Sequence, residues 1–545
     1  MSHTRPRAAA RAAVVFLTIL AAGCGGPPAE QPVPQDDSAA EPGTPIGSLA
    51  EVFASEPVAV EGYGLVGGLA NTGSPQCTEN IRSYLRQYIL QELPDKETNV
   101  DKLIESNDTA VVLLRGTIPP MAAMGNRFDL EVSPLEGTQT TSLANGWLYR
   151  AELRPAVAGL GFATRVIARA EGPVFIDYIL DDGAPFNPLR GFILAGGRVL
   201  EEYKANLALR RPNYRIASDI RNKLNERFGP GTANAISAGL VELKVPAKYN
   251  KQKQRFIALV KAVRLGPQRP DIDREIDSLV SRLAALEEPD SAEVAIEAVG
   301  NRSLGRLEDL LNSPNEQVRL RAARCMLNLG GGKALQTLRN IALDTDSQLR
   351  IKALEAVAAS ADRRAVSFLA RRLLRDDLLP VRLAAYEQLR AAGDVSVNRR
   401  RIGRSFDLEQ VFQTPHKLVF AARSGPARIA LLGSPIYCRK NIFVQSDDGT
   451  ITINAPPGQD HISIIRNFSG RPQMGPVTLK ASFELDDVIR TLCEEVAVKE
   501  GAPRKPGLEV PYAQAIALVK KMCERNAVES TFLAGPLPKR VNIKK

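Results

Sequence analysis

The chain has 545 residues, 44% hydrophobic and 24% charged, with a formal net charge of +10. That length exceeds what one hydrophobic core serves, and roughly three or four units are expected. Its three histidines leave little material for a catalytic triad or a histidine-rich metal site, and no C-x-x-C occurs to hold a metal knot.

The N-terminus reads as an export signal. Arg5, Arg7 and Arg11 precede an apolar run over residues 12–22 that stops at Gly23 and Cys24 and is too short to span a bilayer. The string LAAGC admits two readings: a lipoprotein signal, cut before Cys24 with its thiol diacylated, or a plain signal with a cysteine beyond it. The Pro-rich and acidic stretch that follows reads as an extended tether, and Gly25 fits lipoproteins bound for the outer membrane. Residues 302 to 401 hold 19 Lys and Arg against 11 Asp and Glu, so this middle segment carries the charge imbalance. It implies either an acidic partner, such as anionic glycan or lipid headgroup, or a solvated helical surface; an exported protein argues against nucleic acid.

Residues 58–73 read VAVEGYGLVGGLANTG. Gly62, Gly64 and Gly67 spell G-x-G-x-x-G, but Gly68, Asn71, Gly73 and Pro75 follow where a phosphate site needs a helix to open. These glycines are therefore expected to serve backbone geometry. Next come a helical pattern over 78–93, a strand AVVLLRGTI ending at Pro119 and Pro120, then Gly125 and Asp129 in GNRFDLEVS, and Gly146 in SLANGWL. In order and spacing these segments resemble the flagellar P-ring protein family, whose pattern is GYGLVxGLxGTG, a strand ending in Pro-Pro, G-x-x-x-D-[VL]-x-VS and SLxxGxL. ARAEGPV at 168–174 and GFILAGGRVLEE at 191–202 are similar to further family segments. A helix over 214–228 places Ile216, Ile220, Leu224 and Phe228 on one face and stops at Gly229, an ending the family shares.

From about 270 to 403 the chain turns helical and repetitive. VRLRAA at 318, LRIKAL at 349 and VRLAAY at 381 start 31 and 32 residues apart, each after a polar turn. Two helices per repeat at this period resemble HEAT-like repeats, with a degenerate copy in SAEVAIEAV near the start. Arg319, Arg350 and Arg382 fall at equivalent positions and either form a basic ladder along one face or satisfy the loops between repeats. The array is expected to be a separable module with its own core.

From 404 short strands return, ARIALLG, NIFVQ, TITINA and HISIIR, followed by two helical stretches at 481–498 and 512–535. LDDVIR at 485–490 matches a motif of the same family, so the resemblance covers roughly 49–268 and 404–545. Cys493 and Cys523, on the two helices, are either a disulfide pair or buried free thiols. His416 and His461 fall in loops. The acidic pairs Asp447 with Asp448, and Asp486 with Asp487, are sequence neighbours whose side chains diverge, so they read as turn and helix-start residues.

The expected organisation is a signal peptide (1–23), a lipid anchor and linker (24–48), a P-ring-like part (49–268), a HEAT-like array (269–403) and a second P-ring-like part (404–545). The fold class is α+β, a mixed α/β body with an inserted all-α solenoid. The resemblance implies a non-enzymatic structural subunit without cofactor. It would self-associate into a periplasmic ring in the peptidoglycan layer, around the flagellar rod and beside outer-ring proteins, with Cys24 tying it to the outer membrane. The competing expectation is an outer-membrane lipoprotein adaptor that binds protein through its repeats.

Overall fold

The computed structural model describes residues 41–53, 56–92, 99–156, 164–179, 186–266, 271–412, 414–467, 475–495 and 507–539. Cys24 lies outside them, as does the whole export signal. The described chain opens with a short helix, Ile46–Leu49 (α1), and a strand, Ala50–Phe53 (β1). Val58–Gly67 (β2) begins a barrel. After Glu79–Glu92 (α2) and Val100–Ile104 (α3) it continues through Thr109–Ile118 (β3), Arg127–Pro134 (β4), Trp147–Pro155 (β5), Ala168–Pro173 (β6) and Gly191–Val199 (β7). The strands close in the order β2-β3-β4-β7-β6-β5, antiparallel at every pairing. Period-two alternation builds the interior: β4 buries Phe128, Leu130 and Val132, which meet Val60, Leu114, Leu153 and Ile193 in one core. On the other face of β2 and β3, α2 and α3 cover Leu65 and Val111 with Ile81, Leu85 and Ile104.

Ala205–Leu209 (β8), Tyr214–Phe228 (α4), Ala233–Ser237 (β9), Leu240–Leu243 (β10) and Lys253–Ala262 (α5) come next. The sheet β1-β8-β10-β9 packs Leu207 and Val241 against Ile220 and Leu224 of α4 and Phe256 and Val260 of α5. The expected α4 forms as its sequence dictates. Asn213 accepts from the Ile216 N–H at 3.0 Å, and Gly229, at φ 107°, ends the helix.

A run of helices follows: Ile272–Ala284 (α6), Pro289–Val299 (α7), Leu304–Leu310 (α8), Glu316–Asn328 (α9), Ala334–Leu343 (α10), Arg350–Ser360 (α11), Arg363–Leu373 (α12) and Leu379–Ala392 (α13). The three repeat blocks fall on α9, α11 and α13. The equivalent arginines do not form an exposed ladder. Arg319 donates to the carbonyls of Ser313 and Pro314 at 2.8 and 3.1 Å, and Arg382 to those of Asp376 and Asp377, both at 2.7 Å. Arg350 donates to the Ala342 carbonyl at 3.2 Å and pairs with Asp376 of the next repeat. Tight interhelical turns leave carbonyls without partners inside the stack, and these guanidinium groups meet them.

The last part comprises Val397–Ile402 (β11), Phe406–Val411 (β12), Leu418–Ala421 (β13), Arg428–Leu432 (β14), Ile442–Gln445 (β15), Ile451–Ala455 (β16), Ile462–Arg466 (β17), Val477–Ala481 (β18), Leu485–Cys493 (α14), Tyr512–Glu524 (α15) and Thr531–Ala534 (β19). A mixed sheet, β11-β12-β14-β13-β19, and an antiparallel one, β15-β16-β17-β18, enclose a core in which Val488, Ile489, Ile516 and Val519 meet Ile429, Leu431, Ile453 and Ile464. Helices and strands together give the expected α+β class.

The helical array does not keep a core to itself. Tyr386 and Leu389 of α13 share one buried cluster with Val397, Val411, Leu418 and Leu432 of the mixed sheet. The expectation of a separable module fails here, because the inner face of the last repeat finds its apolar cover on β-strands rather than on another helix.

Candidate functional site

The motif glycines sit where two barrel strands press together. β2 pairs with β3 along its length and with β5 through a register shift between Glu61 and Val66. A Cβ on Gly62 would lie 2.2 Å from the Glu152 carbonyl oxygen, one on Gly64 2.9 Å from a Leu148 methyl, and one on Gly67 2.7 Å from the Tyr149 ring. After Gly67 the chain turns, so no helix N-terminus waits there for a phosphate. Gly73 and Gly146 are crowded in the same way, with a Cβ falling 2.1 Å from the Thr109 oxygen and 2.5 Å from a Val66 methyl. Pro119 and Pro120 end β3 and lead into a turn in which Gly125 donates to the Val199 carbonyl at 2.8 Å.

Asp129 faces out of the barrel and clamps two distant segments. One carboxylate oxygen accepts from the Ala195 N–H at 2.6 Å, and the other from the Gly425 N–H at 2.8 Å. The barrel is thereby tied to the loop between β13 and β14. Arg423, two residues earlier, completes the tie: it donates to the Gly535 and Ile179 carbonyls at 2.7 and 2.9 Å and pairs with Asp177 at 3.0 Å. Beneath them Phe175, Phe406 and Tyr512 form a chain of ring contacts, with centroids 6.0 and 5.0 Å apart. Burial pushes the Tyr512 hydroxyl up, and it lies 2.7 and 2.8 Å from the Ala422 and Arg428 carbonyls.

Charge clusters fasten both ends of the array. At the first, Glu293 of α7, with a 1% exposed side chain, meets Arg255 of α5 at 2.8 Å and Arg321 and Arg324 of α9 at 3.0 and 2.6 Å. Glu297, one turn on, accepts from Tyr249 at 3.1 Å, Arg255 at 2.8 Å and Asn328 at 3.0 Å. Lys251 and Gln252 reach further, to the Ala358 carbonyl and to Asn328 and Ser360. At the far end, fully buried Glu409 of β12 holds Tyr386, Arg390 and Arg399, the last two at 3.0 and 2.9 Å, while Arg428 pairs with Glu387. Sequence reading missed both. The signal at the first was there: two glutamates four apart inside the apolar run SAEVAIEAV, with arginines three apart in VRLRAAR.

Cys493 and Cys523 are free, buried thiols rather than a bridged pair. Burial pushes the Cys523 thiol up to about 12. His461 lies 2.7 Å from Asp460 and His416 3.8 Å from Asp377, both at the surface. Asp448 accepts from the Thr450 N–H in a turn, and Asp487 from the Ser482 N–H at the start of α14. Among the described residues no group of three or more His, Cys, Asp or Glu is placed to hold a metal.

Residues 46–272 match the family model for flagellar P-ring protein, and residues 304–390 the model for HEAT repeats. The flagellar P-ring protein of Anaeromyxobacter sp. (strain K) is 29% identical over 369 residues, which cover 64% of this chain and 90% of that protein. Flagellar P-ring protein 1 of Hahella chejuensis is 31% identical over 204 residues, 34% of this chain and 51% of that one. The flagellar P-ring protein of Thermotoga maritima is 28% identical over 221 residues, 38% of this chain and 63% of its own. The chain is thus similar to the flagellar P-ring proteins, and after the segment that matches their family model it carries a stretch similar to HEAT repeats.

Proposed function

We infer that this protein is a structural subunit of the periplasmic P-ring of the bacterial flagellar basal body. Copies of the chain assemble into a closed ring that serves as a bushing around the rod, and the ring works by shape and subunit contact, without catalysis. One observation carries the reading: similarity to a flagellar P-ring protein extends over 90% of that relative's length. The motif residues at the β2–β5 contact and the Asp129 clamp support it, because they fix backbone geometry and offer no reactive constellation. The rod, the outer-ring proteins and the peptidoglycan layer are its proposed surroundings. Cleavage before Cys24 followed by acylation would tether it to the outer membrane. The proposed division of the chain remains 1–23, 24–48, 49–268, 269–403 and 404–545.

The test is sedimentation of the mildly extracted protein, with electron microscopy of purified basal bodies from the source cells. A large closed ring that co-purifies with the rod supports the reading. A monomer absent from basal bodies refutes it, and an unmodified N-terminus at any residue other than 24 refutes the anchor.

A further inference from the structure

Another set of arginines in the array lies on the outer face of α12 and in the turn after it. Arg364, Phe368 and Arg372 follow one another at intervals of four and so stand in one row, and Arg375 lies in the turn that follows α12. All of these side chains are exposed, Phe368 to 61%. With the loop after α13 they line a groove of about 830 Å³, whose lining also includes Val395, exposed to 87%. The single carboxylate lining it, Asp394, is already held by Arg371 at 2.9 Å. Among the described residues, the guanidinium groups of Arg364, Arg372 and Arg375 have no hydrogen bond or ion-pair partner. From α10, Arg339 stacks over the Phe368 ring at 5.6 Å, and its buried Nε atom has no hydrogen-bond partner.

We propose that this groove docks an acidic segment of a partner protein, with carboxylates on Arg364, Arg372 and Arg375 and an apolar side chain of the same segment on Phe368 and Val395. Charge complementarity selects the sign of the ligand, since the free groups in the groove are all cations. Planar guanidinium forks suit carboxylates. The exposed Phe368 and Val395 favour a peptide over a glycan, which has no apolar side chain to place there. The concave shape favours a peptide over a membrane, which would need a protruding apolar edge. The proposal stands apart from the ring assignment.

The experiment uses the purified full chain and fluorescence anisotropy with a short labelled peptide carrying glutamates on both sides of a leucine. Binding is expected, weakening with added salt as the screening length falls from ~10 Å at 0.1 M to ~3 Å at 1 M. The double substitution Arg364→Glu with Arg372→Glu should weaken it by roughly tenfold or more, as loss of two charge-assisted contacts implies. Phe368→Ser should abolish the preference for this peptide over one with serine in place of leucine. Both sites are exposed, so circular dichroism should match the unaltered chain; Arg364→Gln with Arg372→Gln serves if charge reversal disturbs the helix. No binding, or binding indifferent to these substitutions, overturns the proposal. So does capture of phosphatidylglycerol vesicles, dependent on the same residues, in place of the peptide.

Discussion

Replacing Glu293 by Gln removes one negative charge from the joint between the sheet-bearing body and the helical array. The carboxylate has a 1% exposed side chain and contacts Arg255 at 2.8 Å, Arg321 at 3.0 Å and Arg324 at 2.6 Å. Losing one member of a buried ion cluster costs about 3–5 kcal/mol, and the lower figure applies because Arg255 keeps Glu297. At roughly 2–4 °C per kcal/mol, the array should melt about 6–12 °C lower. Asp290→Asn is the control: Asp290 pairs with the same Arg321 but has an 87% exposed side chain, so its loss should cost below about 1 kcal/mol. Acidity provides a second reading of the same charge. Burial pushes the Glu293 carboxyl up, but the hydrogen bond from Arg324 and the charges of Arg255 and Arg324 outweigh it and leave the group below its usual value. A depressed carboxyl stabilises the fold above the unfolded-state value of about 4.3, and that contribution is lost as pH falls through the folded value. The melting gap between the native protein and Glu293→Gln should therefore stay constant above about pH 5 and narrow below it. Differential scanning fluorimetry across pH reads both effects. A Glu293→Gln protein that melts with Asp290→Asn, or a gap that widens in acid, would refute the joint.

Gly62→Ala should open the β2–β5 contact, since its Cβ would fall 2.2 Å from the Glu152 carbonyl; a lower melting temperature and earlier proteolysis are the readouts, and a native melting curve contradicts it. Asp129→Ala frees two backbone N–H groups, at Ala195 and Gly425, which should cost about 2–4 kcal/mol and speed hydrogen exchange at both; unchanged exchange at Gly425 would mean the clamp does not hold in solution. Removing residues 270–403 behind a Gly-Ser linker takes away β11 and uncovers Val411, Leu418 and Leu432, so the product should aggregate; a soluble, folded protein would show that these strands find other cover.

Much of the secondary structure was legible because it rests on local period and caps. α4 carries its cap, its apolar face and its terminal glycine within one short stretch, and β3 and β4 show their alternation directly. Elements that depend on distant partners were not legible. The stretch from 512 to 535 reads as one helix, yet α15 ends at Glu524 and Thr531–Ala534 becomes β19, because Leu418–Ala421 offers it a parallel neighbour. The arginine run at 399–401 falls within the expected helical array of 269–403 but forms the edge strand β11 against β12. Asp129 stands out by its motif, while its second partner, Gly425, lies 296 residues away. The arginines of the repeats could be placed from sequence, but not their direction, which the carbonyls of the turns decide.

The edge strand β11 has a meaning for crowding. Identical chains held side by side at high local concentration invite one sheet to continue into the next, and an uncovered strand edge is the place where such growth starts. Residues Asn398 to Arg401 are all exposed on that edge, three of them arginines, with Arg399 anchored to Glu409 and Arg401 to Asp407. A second copy approaching in register would bring its own arginines against these. The like charges repel, so neighbours can meet through other faces while this sheet stays finite.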